Sequence, residues 1–377
     1  HLQIEDLQKE IKELQAWIDY LQDLLANHNK ILEIIKNDTN ELAEKYGDER
    51  RTDIVASEVE EINVEDMIKD EDMVVMISRL GYIKRVSIDK YKKQSKGGTG
   101  SNSTSLLEND YINQLFIGST KEKLLFITNI GRAYWLKIHE IPESEKTSRG
   151  ANIKGLLQVS ADEEITTIVS LKDFSDDVYL FMTTSNGVVK RVRSSEFQNA
   201  KTKGIIGIKL NDGDKLISAI PTEGNSQVML ITRRGKALRI NEESVRTMGR
   251  ASCGIKGMKL SEGDEIAAAV RVEEESNIIL MTEKGVGKRI SFDNFAVHGR
   301  GTGGQRIFGN TDGKGEIIGA MNVKDSDEVI CMTSQGKTLR FKASEIREQG
   351  QGASGVRIVT IKEPDYLVGI DKVQDKE

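Results

Sequence analysis

The chain has 377 residues, of which 37% are hydrophobic and 30% are charged, so it can bury a core and is not a disordered tail. No apolar run is long enough to span a bilayer, and no signal-peptide pattern opens the chain. Its two cysteines, Cys253 and Cys331, show no metal-ligand spacing and make no disulfide framework. We therefore expect a cytoplasmic protein with no membrane segment.

The first segment is predicted to be a long helix. Its apolar residues alternate steps of four and three, the spacing of a coiled-coil seam, at Leu7, Ile11, Leu14, Ile18, Leu21 and Leu25. The same series continues through His28, Leu32 and Ile35 to Thr39 and Leu42. The pattern predicts a helix over residues 2–45, with room for one break near His28. A seam of this length needs a partner helix, which we expect upstream in a longer protein or from a second copy.

An acidic segment follows the helix and is predicted to be a linker over residues 55–72. The net charge of the whole chain is −6, but residues 1–72 alone hold 21 acidic and 8 basic residues. Their net charge is −13, so the rest of the chain carries +7. The part of the chain after residue 72 is therefore the part suited to a polyanionic partner.

From Met73 onward the chain repeats one phrase six times. Each copy is a short apolar run, a polar residue or two, a glycine, and in five of the six copies an arginine four places on. The marker glycines are Gly81, Gly131, Gly187, Gly235, Gly285 and Gly336, at intervals of 50, 56, 48, 50 and 51 residues. A period near fifty with strand-like units is typical of propeller blades. We predict an all-β domain of six four-stranded antiparallel blades over residues 73–372.

Each copy is predicted to contain a β-hairpin. In one copy VMLIT is a strand too short for a helix, RRGKA is the turn in which Gly235 takes a positive φ, and ALRIN alternates apolar and polar residues. A second glycine element with a basic or polar neighbour follows each hairpin. It reads KGGTG at Lys96, RG at Arg149, KG at Lys203, and then GRASCG, GRGTGG and QGQG from Gly249, Gly299 and Gln349.

Basic residues recur around the hairpin turn and the second glycine element, whereas acids collect in the connecting turns. If blades stack around an axis, equivalent positions fall on one circumference, and a belt of cations tracks a phosphate backbone. The alternative is that charged hairpin tips only keep sheet edges soluble. The predicted DNA-binding residues of this belt are Lys84, Arg85, Arg132, Arg149, Lys190, Arg191, Lys203, Arg234, Arg239, Arg250, Lys288, Arg289, Arg300, Lys337 and Arg340.

Catalytic signatures in the chain are best interpreted as loops. The pattern G-x-G-x-x-G occurs at Gly299, Gly301 and Gly304, but no βαβ unit follows it, and the four histidines are scattered. We predict no catalytic residue, no metal site and no cofactor within this chain.

A family resemblance enters at two sites. The heptapeptide QSKGGTG, Gln94 to Gly100, resembles the box Q-[RK]-R-G-G-[RK]-G in the C-terminal domain of the DNA gyrase A subunit. The stretch Lys45 to Thr52, KYGDERRT, is similar to the end of that subunit's breakage-reunion domain, where the coiled-coil arm closes. The resemblance covers essentially the whole chain and implies a β-pinwheel with strands exchanged between neighbouring blades.

The resemblance also implies function and partners. Residues 1–54 would be the end of the coiled-coil arm, and Gln94, Lys96, Gly97, Gly98 and Gly100 would bind DNA in addition to the belt. The domain would wrap duplex DNA without preference for its sequence. The whole enzyme, a type IIA topoisomerase of two A and two B subunits, would use this wrapping to introduce negative supercoils. ATP and Mg²⁺ would be used by the partner B subunit, and a tyrosine upstream of this chain would cleave DNA.

The heptapeptide departs from the box at two positions, because Ser95 and Thr99 stand where the box usually has basic residues. The A-type subunit of topoisomerase IV has a related domain in which the box is degraded. That subunit, which serves relaxation and decatenation, is therefore the second interpretation. A propeller-like scaffold for protein interactions and a self-contained enzyme are the remaining alternatives.

Overall fold

The computed structural model describes residues 2–48, 67–78, 80–87, 110, 112–145, 148–160, 163–308, 313–334 and 338–373. The chain divides into two compact units, His1–Ile62 and Asn63–Glu377. In the first unit, helix α1 spans Leu2–Ala26 and helix α2 spans His28–Tyr46. The break falls at Asn27, whose side chain accepts a hydrogen bond from the Asn29 N–H and so caps α2. The predicted helix with one break is confirmed.

The apolar seam of the two helices is exposed in this unit, from Leu7 and Ile11 to Leu42. No helix among the described residues is both long and apolar enough to cross a membrane.

The second unit is built almost entirely from short strands. In chain order they are β1 (Asp72–Ser78), β2 (Tyr82–Ser87), β3 (Ile112–Ser119), β4 (Lys123–Thr128), β5 (Arg132–Lys137), β6 (Ala151–Asn152), β7 (Ile165–Leu171), β8 (Tyr179–Thr184), β9 (Val188–Arg193), β10 (Ile205–Ile206), β11 (Leu216–Thr222), β12 (Gln227–Thr232), β13 (Lys236–Asn241), β14 (Ile255–Lys256), β15 (Ile266–Arg271), β16 (Asn277–Thr282), β17 (Val286–Ser291), β18 (Gln305–Arg306), β19 (Ile317–Val323), β20 (Glu328–Thr333), β21 (Thr338–Lys342), β22 (Val356–Arg357) and β23 (Leu367–Val373). A single helical turn, α3 (Ile153–Leu156), follows β6. Short 3-10 helices follow five of the hairpins, at Ile138–Glu140, Ser194–Phe197, Glu242–Ser244, Phe292–Asn294 and Ala343–Glu345.

These strands form six antiparallel sheets, which we number as blades 1 to 6. Blade 1 has the order β3-β1-β2-β6, in which β1 and β2 are the hairpin, β3 is the inner strand and β6 is the outer strand. Blades 2 to 5 repeat this order, and blade 6 has three strands among the described residues, β21-β20-β23. Each outer strand lies in the chain after the hairpin of the next blade. The predicted six blades with exchanged strands are confirmed.

The inner strands hold the blades around an axis. From β7 to β23 each inner strand contacts the next one, and β23 contacts β3 of blade 1. The last blade therefore meets the first, and the outer strands lie on the circumference.

The hydrophobic core lies between blades and not within one layer. Alternate residues of a hairpin strand face opposite neighbours, so that Leu124 and Phe126 pack against blade 1 while Leu125 and Ile127 pack against blade 3. Because both faces are covered, the strand is a continuous apolar run. Each such side chain contributes about 1.5–3 kcal/mol when fully buried.

The hairpin turns need their glycine. Gly235 has a φ of +84°, and its N–H donates to Thr232 O at 3.2 Å, which closes a four-residue turn. The Thr232 hydroxyl then accepts a hydrogen bond from Lys236 N at 3.1 Å. The positive φ predicted for Gly235 is confirmed.

The acidic turns that precede the inner strands are partly structural. Asp264 is buried and accepts hydrogen bonds from the Arg234 N–H and the Glu265 N–H. Asp214 holds the same place in blade 3, where it accepts from the Asn186 N–H at 3.0 Å. These carboxylates tie the hairpin tips of blades 3 and 4 to the turns that precede the inner strands of the same blades.

Candidate nucleic-acid interface

Among the described residues, the second glycine element of a repeat is the outer loop that leads into an outer strand. We define the outer loops of blades 1 to 5 by their described residues and call them, with the outer strands, the rim. The outer loops are residues 148–150, 201–204, 249–254, 299–304 and 350–355.

Several predicted site residues lie on the rim and are accessible. Arg149, Lys203 and Arg300 are exposed, and Arg250 is half-buried. Arg149 also lies over the Tyr82 ring, 5.3 Å from its centroid. These four side chains come from the outer loops of blades 1, 2, 4 and 3, so the structure brings them to the same edge of successive blades.

The outer strands add cations that the sequence analysis missed. Lys256, Arg306 and Arg357 are exposed, and each is the second residue of its outer strand. The sequence does contain a regular feature here, because each of these cations lies two residues after the last glycine of its outer loop. However, a two-residue strand is too short to be recognised from the alternation of apolar and polar residues, so this spacing could not be assigned to a strand before the fold was known.

Hydrogen bonds join the rim from blade to blade. Arg250 Nη1 donates to Ile206 O at 3.4 Å, and Arg300 Nη1 donates to Lys256 O at 3.3 Å, in each case on the preceding blade. Backbone bonds join the same segments with the loop carbonyl as the acceptor, from Lys209 N to Ser252 O (3.1 Å) and from Lys259 N to Thr302 O (2.9 Å). The rim is therefore continuous across blades 2, 3 and 4.

Three predicted site residues are buried, and their expected position on the surface is wrong. Lys84, Lys190 and Lys288 are at most 1% exposed. Lys84 Nζ donates to Ser148 O at 2.7 Å, and the other two ammonium groups each donate to three backbone carbonyls. Burial lowers the pKa of each of the three lysines to about 8. The ammonium is held inside because a cage of carbonyls replaces its water.

Four predicted arginines are largely covered and bind the protein itself. The side chains of Arg85, Arg191 and Arg289 are 16%, 12% and 10% exposed. Arg85 Nε donates to Ile141 O at 2.6 Å, Arg191 Nη1 donates to Gly224 O at 3.1 Å, and Arg289 pairs with Asp325. Arg239 Nη1 donates to Phe292 O at 2.8 Å and to Phe295 O at 3.1 Å. Their expected place on an open belt is wrong.

Blade 2 shows what this position requires. Trp135 stands where the other hairpins have arginine, and its Nε1 donates to Gln198 O at 3.0 Å. Gln198 follows a 3-10 helix, as Ile141 and Phe295 do. The position thus keeps a donor to the turn of the next blade while it gives up the charge, which is a structural role.

The remaining predicted residues lie in other environments. Arg132 is half-buried, with Nε 3.0 Å from the Tyr134 hydroxyl and Nη2 3.1 Å from Lys203 O. Burial raises the pKa of the Tyr134 phenol, whose hydroxyl donates to the buried Glu163. Arg234 is exposed at a hairpin tip and donates to Glu262 O at 2.9 Å, and exposed Arg340 pairs with Glu328 on its own blade. Lys337 and the box residues Gln94, Lys96, Gly97, Gly98 and Gly100 lie outside the described residues, so their predicted DNA-binding roles stay predictions.

A family model assigns this architecture. The model described as the DNA gyrase C-terminal domain, beta-propeller, matches six times, over residues 72–119, 122–172, 179–223, 226–273, 276–324 and 327–374. The chain belongs to this family. The resemblance drawn from the box and from the coiled-coil end is confirmed.

Relatives and solved structures agree with the family. The chain is 56% identical over 372 residues to the DNA gyrase A subunit of Treponema pallidum (strain Nichols), covering 99% of this chain and 46% of the relative. A solved DNA gyrase A C-terminal domain is 33% identical with a TM-score of 0.67, covering 80% of this chain and 99% of that one. A topoisomerase IV C-terminal domain is 26% identical with a TM-score of 0.70, covering 82% and 95%. The chain spans less than half the length of the curated relative.

The family box is the first copy of the outer-loop sequence. Gln94–Gly100 aligns without gaps with Met248–Gly254, His298–Gly304 and Gln349–Gly355, each ending in glycine. In this alignment Lys96 corresponds to Arg250, Arg300 and Gln351. Lys96 of the box therefore holds the same repeat position as Arg250 and Arg300 of the rim.

Proposed function

We propose that this chain binds duplex DNA along the rim and bends it around the blades, as the DNA-wrapping part of a gyrase A-type subunit. The observation that carries the proposal is the recurrence of a cation at one loop position on successive blades, Arg250 and Arg300, joined by hydrogen bonds into a continuous edge. Arg149, Lys203, Lys256, Arg306 and Arg357 extend this edge.

The chemistry of the rim suits a phosphate backbone and not base edges. Guanidinium and ammonium groups and loop N–H groups contact phosphates, which position a duplex but carry no sequence code. Each neutralised phosphate releases condensed counterions, so binding depends on salt. The proposed binding is therefore tolerant of sequence.

The wider role follows from the family and belongs to the whole enzyme. The wrapped segment would be presented to the DNA gate with a fixed handedness, which gives negative supercoiling. ATP hydrolysis with Mg²⁺ would belong to the B subunit, and strand cleavage to a tyrosine outside this chain. The working assembly would contain two A and two B subunits.

A topoisomerase IV A-type subunit is the second candidate, favoured by the TM-score of 0.70 with its C-terminal domain. The 56% identity to a gyrase A subunit favours gyrase. In a reconstituted enzyme, negative supercoiling of relaxed plasmid supports gyrase, whereas decatenation without supercoiling supports the second candidate.

A salt titration of DNA affinity tests the proposal. The double variant Arg250→Ala/Arg300→Ala should flatten the slope of log K against log salt by about 0.9 for each phosphate that is no longer neutralised. The matched control is Lys172→Ala/Lys324→Ala, which removes two exposed cations from turns away from the rim. Equal losses in the two double variants would contradict a localised rim, and salt-independent binding by the unmodified chain would support a protein-interaction scaffold.

A further inference from the structure

In blades 3 and 5 a buried lysine holds the outer loop from inside and donates to three carbonyls. In blade 3, Lys190 Nζ donates to Arg250 O and to Ser252 O (3.0 Å), and also to Gly207 O (2.9 Å). In blade 5, Lys288 Nζ donates to Gln351 O (2.6 Å), Ala353 O (3.0 Å) and Ile307 O (2.9 Å). Three N–H donors meet three carbonyls in both blades, so the ammonium is fully used.

The two held loops share one conformation. Arg250 and Ser252 lie four and two residues before Gly254, and Gln351 and Ala353 lie four and two residues before Gly355. Each loop also closes the same turn, with Ser252 N donating to Gly249 O at 3.3 Å and Ala353 N donating to Gly350 O at 3.2 Å.

The outer loop of blade 4 has no lysine and takes a different form. Its hairpin carries Leu238 at the position of Lys190 and Lys288, three residues after the marker glycine. In this loop Gly301 has a φ of +79°, and its N–H donates inward to Gly257 O at 2.5 Å. The N–H at this loop position is therefore bonded within the rim in blade 4.

Peptide geometry gives the opposite result in blades 3 and 5. In a trans peptide the carbonyl of one residue points away from the N–H of the next. Because the carbonyls of Arg250 and Ser252 point to the buried ammonium, the N–H groups of Ala251 and Cys253 point away from it, and both residues are exposed. In blade 5 the same holds for Gly352 and Ser354, which are also exposed.

We propose that Lys190 and Lys288 are positioning residues that set the outer loops of blades 3 and 5 as phosphodiester-binding sites. Two outward N–H groups in one short loop form a concave site for an anion, and in blade 3 the Arg250 side chain lies on the same loop. The outer loop of blade 4 offers a side-chain cation without this backbone site. This inference rests on the proposed function. It adds which outer loops bind the DNA phosphodiester backbone through their N–H groups, and what orients those groups.

The main test replaces the lysines in the 377-residue chain with the residue that the fold itself uses in blade 4. Lys190→Leu/Lys288→Leu should flatten the salt slope of duplex binding by about 2, which is about 0.9 for each of two phosphates no longer bound. The matched control Leu238→Met changes a buried side chain at the same position of blade 4 and should leave the slope unchanged. Measurements are made well below the midpoint of thermal unfolding of each variant, so that a loss of stability alone does not move the slope.

Hydrogen exchange on the unmodified chain tests the same inference without a variant. Adding a DNA duplex should slow exchange of the Ala251, Cys253, Gly352 and Ser354 N–H groups and leave Gly301 unaffected. Protection of Gly301 equal to that of Ala251, or an unchanged slope in the folded double variant, would overturn the inference while the proposed function stands. An unmodified chain that binds no duplex would overturn both.

Discussion

A basic residue of the repeat can contact DNA or stabilise the fold, and the sequence alone does not distinguish these two roles. Arg239 is such a residue, and in the structure its guanidinium binds the protein itself. Its Nη1 donates to Phe292 O and Phe295 O on the next blade, and its Nε donates to Gln227 Oε1 at 2.8 Å. Arg239→Met keeps most of the apolar stem and removes these donors. Phe292 O keeps a second partner, the Phe295 N–H at 3.0 Å, so the largest loss falls on Phe295 O.

A buried carbonyl left without a partner costs about 1–3 kcal/mol, and a lost hydrogen bond to a charged group costs a similar amount. We expect Arg239→Met to lower the free energy of unfolding by about 3 kcal/mol, with an unchanged denaturant slope. For the second unit, Asn63–Glu377, at about 2.1 cal/mol/K of unfolding entropy per residue, that corresponds to about 5 °C in the midpoint of thermal unfolding. The salt slope of DNA binding should not change.

The control is Arg300→Met, which removes the same charge from an exposed rim position. Its stability should stay within about 0.5 kcal/mol of the unmodified chain, and its salt slope should flatten by about 0.9. Urea titration followed by circular dichroism measures the first quantity, and DNA affinity between low and moderate salt measures the second. A stable Arg239→Met protein with a flattened salt slope would refute the structural role and restore Arg239 as a DNA contact.

Three further outcomes are expected. Gly304 has a φ of +70°, and an added Cβ would lie 2.6 Å from Ala237 O, so Gly304→Ala should lose about 2 kcal/mol or more of stability in a urea titration. Gly299→Ala in the same loop meets no atom within 4 Å and should cost less than about 1 kcal/mol, and equal costs would contradict the reasoning. In the full enzyme, Lys96→Ala should abolish negative supercoiling of plasmid and keep ATP-dependent relaxation, whereas unmodified supercoiling would show that the box is dispensable. Because the pKa values of Lys190 and Lys288 are about 8 in the folded chain and 10.5 when unfolded, the unfolded chain binds more protons between these values. Their contribution to the free energy of unfolding should therefore rise with pH from about 8 to 10.5, and urea titrations of Lys190→Leu/Lys288→Leu at about pH 7.5 and 9.5 should lack that rise.

The repeat was readable from the sequence because each blade needs the same local devices. A marker glycine such as Gly235 is required by a positive φ in the turn, and the apolar run before it is required because both faces of the hairpin strand are covered. These are short-range constraints with a fixed period, so they fix the number of blades and the hairpins. The helix seam of the first unit and the break near its middle follow from local sequence as well, since Asn27 caps the second helix with its own side chain.

The role of each basic residue could not be read in this way. Lys288 and Arg300 are both basic and both belong to the repeat, yet one is fully buried and the other is exposed. What separates them is the outer loop of blade 5, whose carbonyls accept hydrogen bonds from Lys288 and lie some sixty residues further along the chain. Hydropathy along the sequence assigns every lysine to solvent. Burial of an ammonium becomes favourable only when the folded chain supplies carbonyls that replace its water.

The exchange of strands is the second feature that only the tertiary structure decided in detail. Lys256 reaches the rim because β14, which follows the hairpin of blade 4 in the chain, pairs with β9 of blade 3. Sequence periodicity fixes the unit that is repeated, since it follows from local turn and strand chemistry. The packing of one unit against the next decides which of its charges face solvent, because desolvation depends on every atom nearby and not on position in the repeat.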